Sequence, residues 1–223
     1  MMKLNRIYEN PAELPRMIPV FPLAGALLLP RRPLPLNIFE PRYLAMVDDA
    51  LSGERMIGVI QPSAGEAAVE PRPGLYPIGC AGRISQFAEI GDGRCFVTLT
   101  GVARFRIVEE PLSLTPYRQA QVDFSGFAGD LREGEGEGDV DRQGLLDALR
   151  RFADANKFTV DWKDIEEASN EALVNGLSML SPYGPREKQA LLEADTLKDR
   201  AEMLVAITHM ELARGADAPA QVH

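Results

Sequence analysis

One change of hydrophobic rhythm divides this chain. From residue 16 to 127 the apolar side chains come in short runs that alternate with polar ones, whereas beyond residue 140 they recur at helical spacing. Between the two lies "GDLREGEGEGD", 129 to 139, in which glycine alternates with acid. A strand-rich part followed by a helix-rich part points to an α+β architecture. The acidic glycine stretch has too little apolar surface to offset the entropy of ordering, so it is expected to be a mobile linker.

In the first part, "RMIGVIQ" (55 to 61), "LYPIGCAGRISQF" (75 to 87), "RCFVTLTGVARFRIV" (94 to 108) and "YRQAQVDF" (117 to 124) read as strands. They are rich in β-branched and aromatic residues and are bounded by Gly and Pro clusters. "EIGDGR", 89 to 94, is a hairpin loop by its Gly-Asp-Gly. Arg104 and Arg106 alternate with Phe105 and Ile107, and Gln119, Gln121 and Asp123 alternate with Ala120, Val122 and Phe124. These strands therefore have one wet face and one buried face. Gly101, in mid-strand, suits a bulge that bends a sheet toward closure, and the whole suggests a partly closed β-barrel.

"PLPLNIFEPRYLAMVDDAL", 33 to 51, sets three prolines beside a helix. Proline drives the residue before it out of the α region and is well tolerated at the first helical position, so Glu40 should cap and Pro41 should open the helix. A start at Asn37 would leave Pro41 clashing with a carbonyl one turn back. Tyr43, Leu44, Val47 and Leu51 then share one face, and Gly53 offers a stop. Pro33, Pro35 and Pro41 are expected to lock a strand-to-helix joint. Arg42, Tyr43 and Met46 on the first turns form the candidate polypeptide-binding set, provided that part of the helix faces solvent.

The second part carries apolar stripes at Leu145, Leu146, Leu149, Phe152 and Ala153, and at Leu173, Val174, Leu177 and Leu180. A third pattern runs through Leu191 and Leu192 and a fourth from Leu197 to Leu212. Four short amphipathic helices make a small bundle. The expected division is a barrel over 15–127, an acidic Gly-rich linker over 128–139 and a helical subdomain over 140–214.

Charge and chemistry narrow the function. The 24 basic against 33 acidic residues leave −9, a balance that opposes nucleic-acid phosphate and anionic lipid. Residues 1 to 127 hold 13 of each sign, so the excess lies wholly in the remainder. Cys80 and Cys95, far from C-x-x-C spacing and among apolar neighbours, are expected to be buried free thiols of a reducing compartment. The amino terminus lacks the apolar run of a signal peptide, and Leu23 to Leu29 is too short to span a membrane, which places the protein in the cytoplasm. With His209 and His223 the only histidines, no catalytic triad, no metal site and no cofactor is expected. Asp48 with Asp49, and Glu109 with Glu110, are adjacent and so point apart, as solvated charge rather than an acid/base pair. Gly-Lys is absent, and the glutamates of "GEGEGD" would repel phosphate.

"IPVFPLAGALLLPRRPLPLNIFEPRYLAMVDDAL", 18 to 51, closely resembles the opening of the Lon protease amino-terminal domain family, with its "PxFPL" strand followed by "LPxxxLPLxIFEPRY" and a helix. "YPIGCAGRI" (76 to 84), "GVARFRI" (101 to 107) and "SPYGPREKQALLEADTLKDRAEML" (181 to 204) are similar to that family's later strands and helical tail. The resemblance covers about residues 17 to 212. It implies that the barrel is PUA-like, with one short helix, and is followed by a helical subdomain. It does not transfer proteolysis or ATP hydrolysis, because the chain ends at His223 without an ATPase or a Ser-Lys peptidase module.

The expectation is therefore a non-enzymatic, stand-alone module that recognises exposed apolar or unfolded polypeptide, or a partner protein, with an ATPase or protease acting in trans. The alternative, on fold analogy alone, is a PUA-like RNA binder using Arg83, Arg104 and Arg106.

Overall fold

The computed structural model describes residues 7–63 and 73–217. Two compact units emerge: Met1–Glu133 together with Tyr183–Leu192, and Gly134–Pro182 together with Glu193–His223. This division departs from the sequence boundaries in two places. The start of the expected linker folds onto the barrel, and the helix following "SPYGP" belongs to the barrel unit.

The first unit contains strands β1 (Met17–Pro22), β2 (Pro33–Ile38), β3 (Met56–Ile60), β4 (Ile78–Gly91), β5 (Arg94–Glu109) and β6 (Arg118–Asp123), with helix α1 (Pro41–Ser52) between β2 and β3. The sheet order is β2-β5-β4-β3-β1-β6, and β6 also pairs with β5, so β5, β4, β3, β1 and β6 form a closed ring. β1 and β3 run parallel, and every other pairing is antiparallel. The expected α+β fold with a barrel followed by helices is what is found. Alternate residues fill the ring, including Ile18, Val20, Met56, Ile60, Phe105 and Val122. Burying a side chain such as Phe105 contributes about 2 to 3 kcal/mol. Its ring occupies the space that a Cβ at Gly79 would need, 2.6 Å from Cζ.

β5 changes partner along one of its edges. Its first half pairs with β2, Cys95 to Thr100 against Ile38 to Pro33, and its last residues pair with β6 on the same side. The switch falls at Gly101. There the register against β4 slips, Ala81 facing Ala103 and Gly82 facing Gly101, which is the bulge expected from the sequence. A Cβ at Gly101 would lie 2.0 Å from the Leu29 carbonyl oxygen, so only glycine lets the chain entering β2 pass this close. Beyond the ring, β2, β5 and the far half of β4 project as a three-stranded wing. The β4–β5 connection turns on Asp92 and Gly93, both at positive φ (53° and 69°), a two-residue hairpin of type I′ character.

Both edges of the wing resist strand addition. Pro33 and Pro35 have no N–H, so the ladder to β5 falls to the residues of the other parity, in phase with Gly101 N, which donates to the Arg32 carbonyl. The prolines thus lie on the outward edge. On the opposite edge, β4 shifts register between Ile84 and Gln86 and again between Glu89 and Gly91. Prolines and bulges are the usual means of blunting an edge. The helix start agrees with expectation: Glu40 is the N-cap, Pro41 the first helical residue and Gly53 the C-cap.

The expected linker is structured at its start. Ser125–Leu131 is a 3₁₀ segment lying on the outer face of β5, and its Asp130 carboxylate accepts from Arg104 N, Nε and Nη2 at 2.9, 2.9 and 2.8 Å. Helix α5 (Pro185–Glu193) docks on the same unit through glutamines. Gln189 Nε2 donates to the Ile78 carbonyl (3.1 Å), and Gln61 Nε2 donates to the Pro185 carbonyl (2.9 Å).

The second unit contains α2 (Arg142–Asn156), α3 (Trp162–Glu167), α4 (Asn170–Leu180) and α6 (Leu197–Asp217). Asp141, Asp161 and Ser169 cap α2, α3 and α4 with their side chains. The short α3, with no apolar stripe, was not expected. It is held at its end by Arg142, which donates to the Ile165 and Glu166 carbonyls and to Asn170 Oδ1. Glu137, in the expected linker, accepts from Glu171 N at 2.7 Å, while Glu171 accepts from Gly134 N at 3.0 Å. One acid of the "GEGEGD" stretch, Glu137, is thus spent on a backbone donor.

Candidate functional site

The three side chains expected to hold polypeptide are not presented together. Arg42 is exposed on the first turn of α1, paired with Glu40 at 2.7 Å and 4.5 Å from the centroid of the Tyr43 ring. Tyr43 and Met46 are buried, Met46 completely. The reason is helical geometry: Tyr43, Met46, Val47 and Ala50 form the stripe that packs inward, and the Tyr43 ring meets Phe21 at 4.4 Å. Burial pushes the Tyr43 hydroxyl up, against the lowering effect of the Arg42 charge.

The arginines divide in the same way. Arg104 is buried under the 3₁₀ segment, ion-paired to Asp130 and 4.7 Å from the centroid of the Phe127 ring. Arg106, two residues on, is exposed. Arg83 is half-buried and donates to Tyr8 Oη (3.2 Å) and the Glu54 carbonyl (3.3 Å). Sharing a strand face did not make Arg104 and Arg106 neighbours on a surface, because that face is covered at one and open at the other.

Exposed apolar side chains collect instead on the wing. Phe96 of β5 is 43% exposed, Phe87 and Ile90 of β4 are 41% and 48% exposed, and Phe39, directly after β2, is 62% exposed. Ala88 and Asn37 flank Phe96 in register on either side. The signal was present in the alternation of Phe96 with buried Cys95, Val97 and Leu99, but a period of two does not say which face of a strand lies beyond the barrel. Leu112 and Leu114, in the loop between β5 and β6, are also fully exposed.

The titratable groups are engaged in structure. Tyr117 Oη donates to Asp49 Oδ2 at 2.6 Å, and Arg118 clasps Glu110 with bonds of 2.6 and 2.7 Å. Cys80 and Cys95 are free and buried, as expected. Burial, then the charges of Asp48 and Glu89, push the Cys95 thiol up. His209 is exposed on α6, and His223 lies outside the described residues. Among the described residues no group of three or more His, Cys, Asp or Glu is placed to hold a metal ion, and no helix is long and apolar enough to cross a membrane. The Gln61–Gln189 contact, 3.3 Å between Nε2 and Oε1, was not anticipated, since lone glutamines in separate parts of a sequence give no sign that they meet.

Comparison with known proteins points one way. Residues 17–209 match the model of the ATP-dependent protease La (LON) substrate-binding domain. A Lon protease of Flavobacterium johnsoniae is 28% identical over 212 residues, which are 91% of this chain and 25% of that protein. The chain thus spans about a quarter of the length of that curated relative. Among solved structures, a Lon N-terminal domain protein from Xanthomonas campestris has a similar fold, with a TM-score of 0.61 at 23% identity over 85% of this chain and 97% of that one. The N-terminal domain of Lon protease from Mycobacterium avium complex gives 0.60 at 18% identity, over 86% and 98%.

Proposed function

The chain belongs to the family of Lon (ATP-dependent protease La) substrate-binding domains, and on that premise we propose that it is a binding module that captures exposed apolar segments of polypeptide on its three-stranded wing. One observation carries the choice of surface: Phe39 and Phe96 are exposed at this end of the sheet, with Ile90 beside the β4–β5 turn, while Phe87, paired in register with Val97, is exposed on the other face. Aromatic side chains offer large contact area at small entropic cost and dominate binding energies at interfaces. The blunted edges mean that such a segment is gripped through side chains and not as an added strand. In this reading the module works in the cytoplasm, as its free thiols suit, and hands its polypeptide to an ATPase or protease acting in trans.

The test is binding of a chemically unfolded, fluorescently labelled polypeptide to the wild-type chain and to a Phe39→Ser/Phe96→Ser variant. Both positions are exposed, so the variant is expected to keep its circular dichroism and melting temperature while binding falls by at least about tenfold. Unchanged affinity in a folded variant would remove the wing from this role.

A further inference from the structure

A groove of about 560 Å³ opens on the barrel unit; Phe39, Phe87, Ile90 and Phe96 are not among its described lining residues, and three arginines line it: Arg31, Arg55 and Arg83. They form a row across the sheet. Arg55 precedes Met56, which pairs with Arg83; Arg83 pairs in turn with Thr100; and the carbonyl of the next residue, Gly101, accepts from Arg31 N at 2.8 Å. Glu133 is the one acid among the described lining residues, so among them guanidinium outnumbers carboxylate three to one, in a chain whose net charge is −9.

The backbone presents two of these arginines at a cost. Arg31 and Arg55 sit in the left-handed region, at φ 63° and 58°, which few non-glycine residues adopt. Both are pinned there: Arg55 N donates to the Ala50 carbonyl and the Arg55 carbonyl accepts from Ile84 N, each at 2.8 Å. Arg31 donates from Nη1 to the Asp130 carbonyl, and Arg83 donates to Tyr8 Oη and the Glu54 carbonyl. The Arg55 guanidinium has no ion-pair partner among the described residues.

We infer that this groove is a second subsite, for an acidic segment of polypeptide in which carboxylates alternate with aliphatic side chains. Guanidinium forks match carboxylates in paired hydrogen bonds, and Ile84, Val102 and Leu131 in the same lining give aliphatic side chains a surface to cover. A nucleic-acid strand fits less well, because its bases need aromatic platforms and Tyr8 is the one aromatic residue among the described lining residues. The inference rests on reading the chain as a polypeptide-binding module, and it adds the sign of charge that the captured segment carries.

The experiment titrates the full chain, by fluorescence anisotropy, with an alternating Glu-Leu octapeptide, its Lys-Leu counterpart, and a single-stranded RNA of equal charge. The Glu-Leu peptide is expected to bind, to weaken as salt is raised, and to lose at least about tenfold in affinity on Arg55→Gln/Arg83→Gln. Glu133→Gln, which removes the competing acid without disturbing an arginine, is expected to tighten it by roughly two- to fivefold. Equal binding of the Glu-Leu and Lys-Leu peptides, indifference to both variants, or tighter binding of the RNA would overturn the subsite. Unfolded neutral polypeptide still binding wild type in any of those cases leaves the wing standing, so the two readings fail separately.

Discussion

Asp130 grips Arg104 from the far side of the barrel wall, taking its main-chain N–H and two of its guanidinium nitrogens on one carboxylate. Both side chains are less than a tenth exposed. The remaining donor, Nη1, reaches the Leu192 carbonyl at 3.2 Å, so one arginine ties β5 to the 3₁₀ segment and to α5. Removing either partner strands a charge in a low dielectric. Asp130→Ala is expected to cost about 3 to 5 kcal/mol, and Arg104→Met/Asp130→Leu substantially less than that single change. Urea denaturation of the single and double variants checks both; a double variant as unstable as Asp130→Ala would mean the pair does more than neutralise itself.

Gly101 and Gly58 make a contrast of backbone against side chain. A methyl group at Gly101 meets the Leu29 carbonyl, whereas one at Gly58 meets Phe105 Cζ at 2.8 Å and Ile18 Cδ1 at 2.9 Å. Side chains can shift and a threaded main chain cannot. Gly101→Ala should destabilise by about 3 kcal/mol or more, and Gly58→Ala by about 1 to 3. Thermal melts of the two variants give the order directly.

Tyr117 couples stability to alkaline pH. Burial, then its bond to the Asp49 carboxylate, pushes the phenol from 10.0 up to about 12. A group whose folded pKa is raised contributes stability that is complete below its unfolded value and is lost as pH climbs through the folded one. Stability should therefore decline between pH 10 and 12, and Tyr117→Phe should flatten that decline while lowering stability at neutral pH by about 1 kcal/mol. Denaturant midpoints measured across that window, with ultraviolet titration of the phenols, test it.

Cys95 should be chemically silent in the folded chain. Its thiol is buried and pushed up, so thiolate is scarce and access is poor. Alkylation of both cysteines is expected to follow global unfolding, rising steeply with denaturant across the unfolding transition. Prompt labelling of either thiol without denaturant would show that the sheet around Cys80 and Cys95 opens locally.

The sequence made the fold legible where one local rule decides the outcome. Proline's fixed φ set the start of α1, Gly-Asp-Gly set the β4–β5 turn, and Gly101 announced the bulge. It misled where composition stood in for partners. "GDLREGEGEGD" looks unable to order itself, and by itself it would be; two of its acids, Asp130 and Glu137, are instead matched to Arg104 and Glu171 N, donors distant in sequence. The candidate set Arg42, Tyr43 and Met46 is divided between surface and core for a related reason. Amphipathic spacing put Tyr43 and Val47 on one face of α1, as found, and missed Met46 on it; nothing local says whether such a face looks into a barrel or away from it. Phe96, on a strand that outruns its barrel, is the converse case.

The prolines of β2 and the register slips of β4 leave the wing with no row of free amides on which a guest chain, or a second copy of this one, could zip. On the proposed reading, a polypeptide lying across it is therefore read by its side groups, with no ladder to impose a direction of travel or a spacing. A surface of that kind suits clientele whose common property is chemical character and not a shared motif.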